Sequence, residues 1–286
     1  MADLSVATAM SLSGRVGLVT GGGTGIGFSI AKAFAANGAK VYITGRRLDV
    51  LEKAAASVTG VSGSIVPIQM DVTDEESVKA GAKQIEGIDG KLDILVNNAG
   101  FAASLRDPHF VTKKLSATDP FEPETVQNWA DIFALNTIAP FFVVRAFQSL
   151  LIIGTHSRPQ GTSSVINISS GAATLNVAPP FASLAYGPTK AALNKLTLVL
   201  GTSFAGRGIP IRVNAIEPGV FASQMAPTEV LESLKTKPLP GGAALVPARR
   251  HGTEAEMGMA AVYLATSDYT NGATLTIDGG LALVNP

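Results

Sequence analysis

The chain has 286 residues, 46% of them hydrophobic, and its 22 basic side chains are balanced by 22 acidic ones. That length can bury a substantial core in one large domain or two small ones, and the balanced charge gives no reason to expect nucleic acid or an anionic membrane as a partner. The absence of cysteine removes disulfides, thiolate nucleophiles and cysteine-held metals, and His109, His156 and His251 are too scattered to form a metal site, so no metal is expected. No uninterrupted apolar stretch reaches the ~18–20 residues of a membrane span. The N-terminus lacks the basic and apolar regions of a signal peptide, and the C-terminal Leu-Val-Asn-Pro matches no retention or peroxisomal address. The expectation is a soluble, cytoplasmic protein.

Along the chain, short β-branched runs alternate with longer helical patterns. Residues 16–20 read as a buried strand, followed by glycines and a helix over 26–37 that stops at Gly38. A strand over 40–44, a helix over 48–57 and a strand over 64–70 follow, the last ending at Asp71. Thr73 is placed to cap a helix over 74–86, with Glu76 completing a capping box. Residues 92–96 form the next strand, and a long helix runs from about 123 to 153, with a bend expected at Pro140. Strands at 165–169, 211–216 and 274–277 and helices at 186–205 and 254–265 complete the alternation. Such alternation implies one doubly wound α/β domain over 1–286, its parallel sheet covered by helices on both faces. Segments 101–122, 171–185 and 219–250 escape the pattern, each following a strand end on the side where such sheets bind ligands.

Three sequence features carry chemistry. Thr20-Gly-Gly-Gly-Thr-Gly-Ile-Gly27 joins the first strand to the first helix. Gly21, Gly25 and Gly27 there can take positive φ and let the backbone approach a ligand, while the helix start offers free N–H groups to a pyrophosphate. The second feature is Tyr186 with Lys190, which share a helix face at i and i+4. An ammonium beside a phenol favours the phenolate and brings it toward the range of acid–base catalysis. The third is Gly45-Arg46-Arg47 after the second strand. An acidic residue there would bind a free ribose 2′-hydroxyl, whereas guanidinium groups suit a 2′-phosphate.

The spacing Gly-x-x-x-Gly-x-Gly resembles the glycine motif of the short-chain dehydrogenase/reductase superfamily, and further matches extend along the whole chain. Asn97-Asn98-Ala99-Gly100, Asn136, Ile168-Ser169-Ser170, Tyr186 with Lys190, and Pro218-Gly219 correspond in order to its other motifs. The resemblance implies a single-domain Rossmann fold with a mostly seven-stranded parallel sheet. It also implies that Tyr186 exchanges the proton, Lys190 lowers the phenol pKa and binds the nicotinamide ribose, Ser170 holds the substrate oxygen, and Asn136 anchors a relay water. Cofactor contacts are implied for Gly21, Gly23, Thr24, Gly25, Ile26 and Gly27, and for the adenine-side Asp71 and Val72. Further contacts are implied for Asn97, Ala99, Gly100, Pro218, Gly219, Val220 and Ser223, a serine where the family commonly has threonine. Arg46 and Arg47, with glycine in place of the family's usual aspartate, point to NADP(H). The Ser170-to-Tyr186 separation is slightly longer than is usual and enlarges the loop over the substrate.

Leu175, Val177, Pro179, Phe181 and Leu184, with Val220, Phe221, Met225, Leu239 and Leu245, suggest an apolar or aromatic carbonyl or alcohol substrate beneath a lid at 219–250. The helices at 124–153 and 186–205 match the family's main dimer contacts, which implies a homotetramer or homodimer. The expected activity is NADPH-dependent reduction of a ketone or aldehyde. Two alternatives stay open, an NAD-dependent alcohol dehydrogenase and a catalytically idle nucleotide-binding sensor or scaffold.

Overall fold

Alternating apolar strands and amphipathic helices fold as the periodicity requires. The computed structural model describes residues 5–119, 121–157, 161–176, 179, 181–226 and 228–285. In chain order its elements are α1 (Val6–Ala9), β1 (Val16–Thr20), α2 (Gly25–Ala36), β2 (Lys40–Gly45), α3 (Leu48–Ala56), β3 (Ser64–Gln69), α4 (Glu75–Asp89), β4 (Ile94–Asn97), α5 (Phe110–Ser116), α6 (Val126–Phe133), α7 (Ala139–Gly154), β5 (Ser163–Ile168), α8 (Tyr186–Gly206), β6 (Ile211–Pro218), α9 (Thr228–Ser233), α10 (Glu254–Thr266), β7 (Thr274–Ile277) and α11 (Leu281–Val284). The strands form one parallel sheet in the order β3-β2-β1-β4-β5-β6-β7. β1, β5 and β6 are buried along their whole lengths, because helices cover both faces. On one face Ile30, Phe34, Met257 and Leu264 of α2 and α10 pack on the sheet, and on the other Ile85, Phe147, Leu151 and Phe204 of α4, α7 and α8 do so.

Strand order reverses between β1 and β4, so the loops leaving their C-terminal ends diverge and open a crevice, the place where open α/β sheets bind ligands. Thr20 ties the two strand ends together. Its hydroxyl donates to the Val96 carbonyl and accepts from the N–H groups of Asn98 and Ala99.

Two local expectations are corrected. Thr73 does not cap the following helix; Asp74 does, accepting from the N–H groups of Glu76 and Ser77, because Thr73 itself donates to Asp71 Oδ1. A capping box is present instead at Thr253 and Glu256, opening α10. The single helix expected over 123–153 is two α-helices joined by a π-helical turn at Ala134–Ile138. Pro140 lies in the first turn of α7, where its missing N–H costs little, so the irregularity belongs to the π-turn around Asn136. The composite helix is apolar and long enough to suit a membrane span, yet Val143, Val144, Phe147, Leu150 and Leu151 lie in the core against the sheet.

Candidate active site

A cleft of about 470 Å³ opens at the β1/β4 crevice and extends under the segments after β5 and β6. Gly21, Gly23, Thr24, Gly25, Ile26, Gly27, Arg46, Arg47, Asp71, Val72, Ala99, Gly100, Ser170, Tyr186, Lys190, Pro218, Gly219, Val220 and Ser223 all line it. Asn97 does not: its amide is buried and donates to Asn167 Oδ1. The neighbouring Asn98 lines the cleft instead, with Nδ2 donating to the carbonyls of Thr20 and Gly21 and holding the glycine loop in shape. The sequence signal for it was present, as the second asparagine of the same motif.

The glycine loop is built for close approach. Gly21 and Gly25 have φ of +62° and +53°, a region side chains disfavour. Gly27 differs from the expectation, since its φ is not positive. A Cβ at Gly27 would lie 2.3 Å from Asn98 Nδ2 and 2.6 Å from the Gly21 carbonyl oxygen, so packing demands the glycine. Thr24, the N-cap of α2, makes no side-chain cap bond, which leaves the first-turn N–H groups of α2 to a ligand. At the far end of the cleft Arg46 and Arg47 are exposed, and among the described residues neither guanidinium has an ion-pair partner. The buried Thr44 hydroxyl beside them also lacks a partner. Glycine cradle, open helix start and uncommitted cations together fit a nicotinamide dinucleotide.

α8 begins at Tyr186 and places Lys190 one turn further on, 4% exposed. Lys190 Nζ lies 5.9 Å from the centre of the Tyr186 ring and donates to the Ile168 carbonyl at 2.8 Å. Burial lowers its pKa to about 8. The Tyr186 phenol is raised by burial, with the Ser170 hydroxyl beside it pulling the other way. Desolvation outweighs the Ser170 hydrogen bond in this arrangement and favours the neutral phenol. Ser170 is the serine that faces the phenol, whereas the Ser169 hydroxyl donates to the Lys190 carbonyl and is buried.

Asn136 does not line the cleft. Its Oδ1 accepts from the Phe101 N–H, and Nδ2 donates to the Phe101 carbonyl and the Thr189 hydroxyl. The side chain thus fixes the segment after β4 to α8. A Cβ on Gly100 would meet Asn136 Oδ1 at 3.1 Å and Lys190 Nζ at 3.4 Å, so a side chain at this corner would crowd both groups.

Apart from Gln224, the remaining wall of the cleft is largely apolar: Phe101, Leu105, Leu175, Pro179, Phe181, Phe221, Met225, Val230, Leu239 and Leu281. Leu184 and Leu245 stand outside it, and Val177 lies outside the described residues. The segment 219–250 is clipped at its neck, where Gly252 N–H donates to the Val220 carbonyl and Phe221 bridges to Gly252. Sequence reasoning missed its second anchor. Asn285 accepts from the N–H groups of Ala243 and Ala244 through Oδ1, tying the chain's end to this segment. A lone terminal asparagine carries no periodic or motif signal.

Comparison with known proteins agrees with this geometry. The family model described as short chain dehydrogenase matches residues 15–233. The chain is 34% identical to "Short-chain dehydrogenase/reductase VdtF" of Byssochlamys spectabilis, covering 99% of this chain and 97% of that protein. It is 33% identical to galactitol 2-dehydrogenase (L-tagatose-forming) of Cereibacter sphaeroides, over 96% and 97% of the two chains. The solved structure titled "Pseudomonas aeruginosa RhlG/NADP active-site complex" superposes with a TM-score of 0.77 at 29% identity, over 96% of this chain and 98% of that one. With glycine cradle, serine, tyrosine and lysine assembled in one cleft of a seven-stranded parallel sheet, the chain belongs to the short-chain dehydrogenase/reductase family, oxidoreductases that bind a nicotinamide cofactor and act on small molecules.

Proposed function

We propose that the chain is an NADPH-dependent reductase of an uncharged, apolar or aromatic ketone or aldehyde, able to run in reverse as an NADP-dependent alcohol dehydrogenase. The observation that carries this reading is the Tyr186 phenol, protonated and paired with Ser170, in a cleft whose wall is apolar. The cofactor, when bound, supplies the hydride that reduces the carbonyl carbon. Tyr186 gives its proton to the carbonyl oxygen, Ser170 positions that oxygen with a hydrogen bond, and Lys190 stabilises the phenolate left behind. A phenol held neutral by burial suits the donating direction.

Arg46 and Arg47 favour NADPH, since a 2′-phosphate gives a guanidinium a charge-assisted partner. The RhlG neighbour, titled as an NADP complex, agrees with this choice. On the substrate side no lysine or arginine stands among Phe101, Leu175, Phe181, Val220, Met225 and Leu239. A sugar acid would have no cationic partner there, and a polyol would find Gln224 but leave its other hydroxyls against carbon, a cost of about 1–3 kcal/mol each. We also propose a homodimer or homotetramer, because Phe141 of α7 and Leu198 and Val199 of α8 are exposed.

A panel of aryl and alkyl ketones, aldehydes, gluconate and galactitol, followed at the NADPH absorbance with NADH in parallel, tests the reading. NADPH-dependent reduction of the apolar carbonyls is expected. Oxidation of gluconate or galactitol with NAD as the leading activity would overturn it.

A further inference from the structure

The stretch between β4 and α6 contains a buried ion pair close to the candidate catalytic tyrosine. Lys114 at the end of α5 and Glu124 just before α6 meet at 2.7 Å, with side chains only 7% and 9% exposed. Glu124 accepts four hydrogen bonds. Oε1 takes the Lys114 ammonium and the Leu184 N–H at 2.9 Å, and Oε2 takes the Ser183 hydroxyl at 2.7 Å and the Trp129 indole N–H at 3.1 Å. Burial opposes this charge, but the Lys114, Leu184 and Ser183 donors overcome it and hold the carboxyl below its ordinary range.

Two of those donors belong to the residues just before α8. Ser183 also donates its N–H to the Ala102 carbonyl, while its own carbonyl accepts the Tyr186 N–H and its hydroxyl the Ala185 N–H. Glu124 is therefore connected to the Tyr186 backbone through a single residue.

We propose that Glu124, neutralised by Lys114, is a positioning residue that sets the reach of Tyr186 into the cleft. The proposal rests on Tyr186 being the proton donor. A carboxylate is the group the geometry calls for, since all four of its partners are donors. Glutamine would turn an NH₂ toward two of them and leave the buried Lys114 without its counter-charge.

The chain has one tryptophan, Trp129, and its indole is bonded to Glu124, so its emission reports the state of the clamp without any turnover. Glu124→Gln and Lys114→Met are compared with wild type and Lys114→Arg by Trp129 fluorescence, NADPH affinity and kcat on the best carbonyl of the panel. Titration of Tyr186 is measured as the difference absorbance against Tyr186→Phe. Displacement of a reacting group by about 1 Å costs on the order of 100-fold. The proposal expects kcat to fall about 10- to 100-fold in Glu124→Gln and Lys114→Met, with NADPH affinity within twofold, Trp129 emission shifted and the Tyr186 titration displaced. Lys114→Arg, which keeps the charge, stays near wild type.

A shifted Trp129 emission with unchanged kcat and unchanged Tyr186 titration would overturn the proposal. If wild type reduced no carbonyl, the functional reading would fail by itself, and the Tyr186 titration would still decide the clamp. A displaced titration supports the clamp and an undisplaced one sinks it.

Discussion

Lys190 Nζ sits 5.9 Å from the centre of the Tyr186 ring and gives its close hydrogen bond to the Ile168 carbonyl. Both groups are dominated by burial, which lowers the lysine to about 8 and raises the tyrosine. An unfolded lysine titrates near 10.5, so between about pH 8 and about pH 10 the unfolded chain binds more protons at this position than the folded one. Stability contributed through Lys190 therefore rises with pH across that window. Above it Tyr186, whose folded value is raised, begins to act in the opposite direction. Urea midpoints measured from pH 7 to pH 10 are expected to rise in wild type and to lose that rise in Lys190→Met.

Cofactor choice is expected to lie in Arg46. A charge-assisted hydrogen bond contributes about 1.5–3 kcal/mol, so Arg46→Asp should cut kcat/KM with NADPH by roughly 10- to 100-fold. The same change should improve turnover with NADH, because aspartate can accept from a free 2′-hydroxyl. An unchanged NADPH/NADH ratio would remove Arg46 from the assignment.

The glycine loop depends on Asn98. A methyl group on Gly27 would be driven to 2.3 Å from Asn98 Nδ2, so Gly27→Ala is expected to abolish cofactor binding in calorimetry or leave the chain insoluble. Asn98→Ala removes two hydrogen bonds to the loop, each contributing about 1 kcal/mol net. It should weaken NADPH binding by about tenfold or more while the fold persists by circular dichroism.

Asn285 holds Ala243 and Ala244, and Leu281 packs with Leu239 and Val246 beneath the same segment. Asn285→Ala is expected to raise KM for the carbonyl several-fold with NADPH affinity unchanged, because the anchor touches the substrate wall and not the glycine cradle. A change confined to NADPH affinity would count against a lid at 219–250.

The sheet and both helical layers were legible in the sequence because short β-branched apolar runs and longer helical patterns alternate along it. β1 and β7 fall where alternation places them, and the other strands differ at their ends. The cleft was legible wherever a residue type is tied to a backbone requirement, as with Gly21 and Gly25. Side-chain direction was less so: Asn97 and Asn98 are adjacent and chemically identical, and only the turn after β4 sends one inward and the other to the glycine loop. The π-turn at Asn136, the Lys114–Glu124 pair and the Asn285 anchor are long-range or register effects. No local pattern encodes them.

Single-turnover hydride transfer from NADPH to an apolar ketone, compared between wild type and Tyr186→Phe, tests the central claim most directly. Loss of a positioned proton donor costs about 10²- to 10⁴-fold. The account predicts a fall of that size with NADPH still bound at near-native affinity. Equal rates in the two proteins would contradict it, because Tyr186 would then not be the group that supplies the proton.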